Sequence, residues 1–517
     1  MSLRSLMRSL VLPALLAATL ALLQATPAAA AKNTLTIGLV VEPEGLDPTI
    51  AAPTTIREVT WLNIYEGLVR LDENGHVLPL LAKSWTISDD GLTYTFKLQP
   101  GVKFHDGTPF DSSIVKFSLD RARAPDSTNA QKQFFEPIDS IETPDPLTAV
   151  IRLKHPTGLF LYWLGWGDSV MVAPKSVPTN KTHPVGTGPF RFKQWVQGDH
   201  IVLERNPDYW QKGKPKLDTV TFRFISDAQA QAAALRAGDV DAFPEFSAAE
   251  LFASFEKDSR FATLIGATPN KLIAGMNNAR KPFNDVRVRR AISMAIDRPG
   301  VIDATYEGVG TMNPAVPMGL KEWALPVEQL GEGAKYYKYD PARARKLLAE
   351  AGVPSGFPAT ISYATYGSTI VMDQLQLILK YLKDVGIDAK PNQQEYGAYI
   401  STTFYGKYES MAFGPQTPFL DPDNFLYGPH VANELKNQSH VDDPVVTDLL
   451  VRQRRTMDPG KRREVLFDIQ RHLAKQQWYV YLPSGVYIGV WDGALKNYGP
   501  NLGYDWGGRV TAAWLDR

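Results

Sequence analysis

His105 and Asp106 are neighbours in the chain, and a histidine beside a carboxylate is the pairing of general acid–base catalysis. That chemistry needs the two side chains to meet a substrate together, which adjacency in sequence rarely achieves. The surrounding Phe104 to Pro109 (FHDGTP) reads instead as a turn, shaped by Gly107 and Pro109, with Asp106 bonding local backbone. The eight histidines are scattered. No two stand at the i, i+4 spacing of a helical metal site and cysteine is absent, so neither a metal centre nor a cofactor is expected. His430 and His440 read as surface residues. Gly186 with Gly188 and Gly308 with Gly310 form Gly-x-Gly pairs, but the third glycine of a dinucleotide fingerprint is missing and no Gly-Lys-Ser/Thr string follows. Gly186 to Phe190 (GTGPF) reads as a tight chain crossing. Arg287, Arg289 and Arg290 fall off the apolar stripe of their helix and read as a solvated or salt-bridged face. No serine-hydrolase elbow, zinc-protease motif or cysteine nucleophile occurs, so no catalytic residue is assigned. A secreted hydrolase with an unrecognised pair of carboxylates is the alternative from another class.

The elements that would position these residues alternate between strand and helix. Thr34 to Val40, Leu92 to Leu98 and Thr219 to Phe224 alternate apolar and polar residues and predict strands. Asp285 predicts the cap of a helix with the stripe Val288, Ile292, Ala295. Asp340 before Pro341 predicts another, with Ala344, Leu347, Leu348 and Ala351 inward and Gly352 just past its end. A third carries Val371, Leu375, Ile378, Leu382 and Val385, stops at Gly386, and is followed by a strand over Ile387 to Ala389. Asp421, Pro422 and Asp423 read as a further helix start, with Asp421 as its cap. The class is α/β.

The amino terminus predicts export. Arg4 and Arg8 precede an apolar run from Leu10 to Leu23, and small residues from Ala25 to Ala31 end in an Ala-x-Ala processing site. The run is shorter than the ~20 residues a spanning helix needs. Residues 1–31 are therefore expected to be a cleaved signal peptide, and the mature protein to be periplasmic. With no cysteine in the chain, no lipid anchor is expected. Fifty-five basic residues balance 55 acidic ones, which argues against nucleic acid as a partner.

Several strings, spread over most of the mature chain and in family order, resemble the dipeptide/oligopeptide/nickel-binding receptors of bacterial ABC importers, the family 5 extracytoplasmic solute-binding proteins. They are Leu81 to Trp85 (LAKSW) with Ser88 to Gly91 (SDDG), Gly101 to Phe110 (GVKFHDGTPF), Gly186 to Phe190, Glu204 to Trp210 (ERNPDYW), Ala234 to Asp241 (ALRAGDVD), Asn278 to Arg298, and Tyr339 to Pro341 with Lys346 to Gly352. The resemblance implies a two-lobed periplasmic-binding-protein-like fold with an extra inserted subdomain. Lobe I would comprise residues 32–70, 185–275 and 488–517, the inserted subdomain residues 71–184, and lobe II residues 276–487. A small organic solute (a peptide, or a peptide-like or opine-like compound) would be held between lobes that close by hinge bending, and handed to the permease subunits of the importer. A monomer is expected. A periplasmic chaperone or sensor partner would share the fold.

The resemblance also points to the site. It implies that the loop Glu42 to Asp47 lines the cleft, with Glu44, Leu46 and Asp47 as candidates, and that the segment from Phe413 to Tyr427 does the same. Candidates there are Phe413, Gln416, Thr417, Phe419, Asp421 and Asp423, with Gln416 and Thr417 able to hydrogen-bond a solute. Aromatic residues cluster around Trp61 and Tyr65, Trp163 and Trp166, Tyr396 to Tyr408, and Trp506. Aromatic walls suit small-molecule clefts, which adds Trp61 and Tyr405. Peptide-binding relatives place an aspartate three residues before the Asp-Pro pair to hold the ligand's α-amino group. Here that position is Pro418, so a peptide would need Asp421, Asp423 or another acid in its stead.

Overall fold

Strand alternation builds the first lobe. Leu35, Ile37 and Leu39 are buried, as are Val220 and Phe222 and Ile201 and Leu203, and these apolar faces share one core. The computed structural model describes residues 33–50, 53–72, 75–267, 271–306, 308–364, 369–416, 419–499 and 510–517. The expected signal peptide, Thr417, Pro418 and Trp506 lie outside them. Thr34–Leu39 is the centre of a seven-stranded sheet ordered Phe261–Ala267, Val486–Asp492, Ala242–Phe243, Thr34–Leu39, Thr219–Phe224, His200–Arg205, Phe190–Val196. It runs parallel to Thr219–Phe224, with Ile37 opposite Phe222.

A four-stranded antiparallel sheet, ordered Ala82–Ile87, Thr93–Leu98, Thr148–Leu153, Ile138–Asp145, forms the inserted subdomain, with the helix Ser112–Arg123 against it. The second lobe is built on a five-stranded sheet ordered Ile387–Gln394, Phe357–Ala364, Met411–Gln416, Lys271–Met276, Tyr479–Tyr481. Helices Val286–Ala295, Pro341–Glu350 and Thr369–Asp384 bury their stripes on one face of it. Helices Asp423–His430, Pro444–Arg455 and Pro459–Gln476 join the core that continues into the first lobe and the insert.

The caps lie where the residue types predict them: Asp285 accepts from the Arg287 amide and Asp340 from the Arg343 amide, each at 2.8 Å. The strand expected to end at Ala389 continues to Gln394, because it pairs in parallel with all of Phe357–Ala364. Pro391 within it is tolerated because this strand is the sheet's edge. A lobe boundary at 275/276 would cut the buried strand Lys271–Met276, and one at 487/488 would cut Val486–Asp492. The chain instead changes sheets between Ala267 and Lys271, and returns between Tyr481 and Val486.

Arg289 departs from a solvated face. It is buried and donates to the carbonyls of Gln476, Phe283 and Asn284, satisfying the C-terminal end of the helix Pro459–Gln476. Arg287 pairs with Asp285, and Arg290 donates to the Lys475 carbonyl.

The recognisable strings in the first half converge on one junction. The His105 ring bonds the Gly188 carbonyl at 3.0 Å and accepts from the Gly186 amide, while its backbone amide donates to the Gly186 carbonyl. Burial lowers its imidazole to about 4, so it is a neutral clasp. Beside it, the buried Glu66 carboxylate accepts from Thr187 and Tyr209 at 2.8 Å and from the Trp210 indole at 3.0 Å. These partners belong to the GTGPF and ERNPDYW strings. Burial, opposed by the three donors, pushes Glu66 up to about 7.

A carboxyl group raised on folding favours the fold where it is protonated. Its contribution is fully present below the unfolded value near 4.5 and is lost as pH rises towards 7. That loss is about 3 kcal/mol. Urea unfolding of the parent protein and of Glu66→Gln between pH 5 and 8 should show the parent losing stability relative to the variant up to pH 7. Parallel pH profiles would contradict this.

Candidate functional site: the cleft between the lobes

The strand Met411–Gln416 pairs antiparallel with Lys271–Met276, Lys271 facing Gln416 across the ladder. A period of two then sorts its side chains. Met411 and Phe413 turn to the helix-packed core, whereas Ala412, Gly414 and Gln416 turn to the cleft. Phe413 is therefore a core residue, and only its carbonyl is reached from the cleft side, by the Tyr399 hydroxyl at 3.2 Å. Past residues 417–418, Phe419 leads into a helix start one residue later than expected, with Pro422 rather than Asp421 at the cap position. Asp421 accepts from the Asp423 amide at 2.8 Å, and the helix Asp423–His430 presents Asn424 and Phe425 to the cleft.

These residues line a cavity of about 70 Å³ between the lobes. Tyr399, Phe404, Tyr405, Phe419 and Phe425 form its aromatic walls, and Gln416, Asn424, Lys436 and Gln438 its polar positions. The insert contributes Ala130 and Gln131. A pocket for a small organic molecule needs about 300 Å³ or more, so the lobes must part to admit a solute. A larger depression of about 590 Å³, lined by Thr360, Ser362, Asn392, Gln394, Arg280 and His440 among others, belongs to the second lobe alone.

An aromatic ladder crosses between the lobes: Trp61 to Trp166 at 5.6 Å, Trp166 to Phe419 at 5.6 Å, and Phe419 to Phe425 at 5.7 Å. Nearby, Arg57 and Asp168 form a fully buried double-bonded pair, one of its contacts, Nε to Oδ2, being 2.8 Å. Lys436 donates to Gln131 Oε1 at 3.2 Å, joining lobe to insert. Burial lowers its ammonium to about 8, with Asp168 and Glu434 opposing that and Arg57 reinforcing it.

The other candidates lie apart from the cavity lining. Leu46 is core, its amide bonded to the Lys181 carbonyl. Asp47 is buried, accepts from the Thr49 amide and hydroxyl, and faces Arg121 at 3.6 Å. Glu44 is exposed; burial raises the Tyr396 phenol, and the charge of Glu44 adds to it. Trp61 reaches the site through the ladder. Asp421 and Asp423 are not available to an amino group. Arg462 bonds both oxygens of Asp421 at 2.8 and 2.5 Å, and Arg454 bonds both of Asp423 at 2.8 Å. Gln453 donates a further, short bond to Asp423.

His430 is no surface residue. It is buried, bonded to the Leu426 carbonyl at 2.7 Å and to the Tyr481 hydroxyl at 3.2 Å, and burial lowers it to about 3. Among the described residues, no group of three or more His, Cys, Asp or Glu side chains is placed to hold a metal.

Tyr399 and Phe404 sit within the aromatic cluster noted in the sequence and Asn424 within the segment Phe413 to Tyr427, but nothing in the sequence marks Gln131, Lys436 or Gln438. Gln131 and Lys436 meet only because insert and lobe are apposed.

The sequence model of the bacterial extracellular solute-binding proteins, family 5, middle region, matches residues 76–433. The chain is 36% identical over 360 residues, 68% of this chain and 67% of the relative, to the glutathione-binding protein GsiB of Pectobacterium atrosepticum. Among solved structures, the periplasmic binding protein AgaA from A. tumefacien R10 in complex with agropinic acid superposes with a TM-score of 0.83 at 27% identity, covering 94% of this chain and 99% of that one. The periplasmic binding protein DppA of Helicobacter pylori in complex with the peptide STSA gives a TM-score of 0.81 at 28% identity, covering 94% and 98%.

Proposed function

The chain belongs to the bacterial extracellular solute-binding proteins of family 5, and from that premise we propose that it is exported to the periplasm, works as a monomer, and delivers a peptide-like or opine-like solute to its permease. It is a solute receptor of an ABC importer, and the relatives it matches are binding proteins. The observation that carries the site is the cavity between the lobes, to which second lobe and insert both contribute. Bound solute would touch both sides at once, so its differential affinity favours the closed arrangement. The proposed hinge includes the crossing between Tyr481 and Val486, where the described chain passes from the five-stranded sheet to the seven-stranded one. Tyr405, Gln416 and Phe419 are proposed ligand contacts, and Thr417, outside the described residues, is proposed from the sequence alone. Glu44 is proposed to stand at the mouth opposite Tyr396.

A thermal-shift screen of the mature protein against peptides, opines, sugar acids and oligosaccharides tests this reading. A solute at about 100 times its dissociation constant adds about 2.7 kcal/mol to stability. Gln416→Ala should weaken binding of the best solute about tenfold by calorimetry, whereas His105→Ala, which loosens the scaffold, should lower the melting temperature more than the affinity. The reverse order would place the cleft elsewhere.

A further inference from the structure

We propose that the receptor is selective for acids: the solute's carboxylate completes Lys436, its hydroxyl or amide N–H groups serve Gln416 and Asn424, and no free ammonium is held in this cavity. The proposal rests on the receptor reading and deepens it.

Charge carries the first half. Among the described residues lining the cavity, Lys436 is the one charged side chain, and no carboxylate is present. The acids nearby have other partners: Asp168 bonds Arg57, Asp421 bonds Arg462 and Asp423 bonds Arg454. Arg57 and Asp168 offset one another, and Glu434, on the same loop as Lys436, lies outside the cavity lining, so Lys436 is the charge that the cavity meets. Within the protein the lysine donates a hydrogen bond to a neutral amide, Gln131 Oε1. A half-buried cation whose partner is a neutral amide lacks a counter-charge, and an incoming carboxylate supplies one. An ammonium brought to the same cavity would meet a like charge.

Hydrogen bonding carries the second half. Gln416 Oε1 and Asn424 Oδ1 are both buried and both lack a partner. Both residues line the cavity. A buried acceptor left unmade is unfavourable, so the solute is expected to bring donors. The aromatic walls of Tyr405, Phe419 and Phe425 suit its carbon skeleton.

The test is a thermal-shift library sorted by charge into acids lacking an amine, zwitterions, amines lacking an acid, and neutral sugars, followed by calorimetry on the best binder. Acids lacking an amine should stabilise most. Lys436→Met should weaken the best acid at least tenfold, with Lys436→Arg restoring most of it. Acid affinity should be flat from pH 6 to 7.5 and fall about tenfold per unit above pH 8, as the ammonium of the empty cleft deprotonates. Arg57, Asp168 and Glu434 are the charged groups that face this lysine and set that midpoint. Amines or neutral sugars binding as well as acids would overturn the proposal while leaving the receptor reading standing. So would an acid indifferent to Lys436→Met. Stabilisation by no class at all would bring down the receptor reading itself.

Discussion

Asp423→Ala should lower the free energy of unfolding by about 3–5 kcal/mol, the cost of leaving one partner of a buried pair without the other. The carboxylate is 1% exposed and its arginine 11%, and the two share a bidentate pair at 2.8 Å. Arg454 is also held flat, 3.2 Å from the centre of the Tyr427 ring and 4.9 Å from that of Trp163, and its carbonyl accepts from the Gly158 amide. Removing Asp423 thus strands a charge between the second lobe and the insert, beside the helix that presents Asn424 and Phe425 to the cleft. Replacing both members, as in Asp423→Leu with Arg454→Met, should recover most of the loss, because the charge goes with its partner. Urea unfolding of the three proteins checks this. A single-variant loss under about 1 kcal/mol would mean that water reaches the pair, as at exposed pairs.

Gly186→Ala should cost about 3 kcal/mol or more through overpacking. An added methyl would stand 2.6 Å from the carbonyl carbon of Ile64 and would overlap its oxygen. Those are backbone atoms, so no side chain can swing aside. Any relief must move the segment that His105 clasps and that places Thr187 on Glu66. Gly198→Ala makes the contrast. Its φ is +75° and a methyl there meets nothing within 4 Å, so the expected cost is the strain of a left-handed residue, about 1–2 kcal/mol. Comparable losses in the two variants would show that the crossing at Gly186 yields more easily than its contacts imply.

Much of the scaffold was legible because its causes are local. Alternation over Thr219–Phe224 and the aspartate caps at Asp285 and Asp340 report burial and amide satisfaction within a few residues. Pro391 shows where local reasoning stops, since its tolerance depends on the strand being a sheet edge. Arg289 shows the same: its place on the helix suggested solvent, while the end of a helix nearly two hundred residues later satisfies it.

The site divides along the same line. Through its resemblance to family 5 the sequence pointed to a cleft-type receptor, and led to the expectations that the segment around Gln416 borders the cleft and that Pro418 stands where peptide binders carry an aspartate. It could not say which residues of that segment face the solute. Strand period and sheet side put Phe413 in the core and Gln416 in the cavity. Nor could it reveal that Asp421 and Asp423 are neutralised, because their arginines arrive on two later helices. The character of the pocket rests on Lys436, drawn to Gln131 from a distant part of the chain. Tertiary structure alone decided that pairing, because the charge balance of a cavity is summed over side chains that only packing brings together.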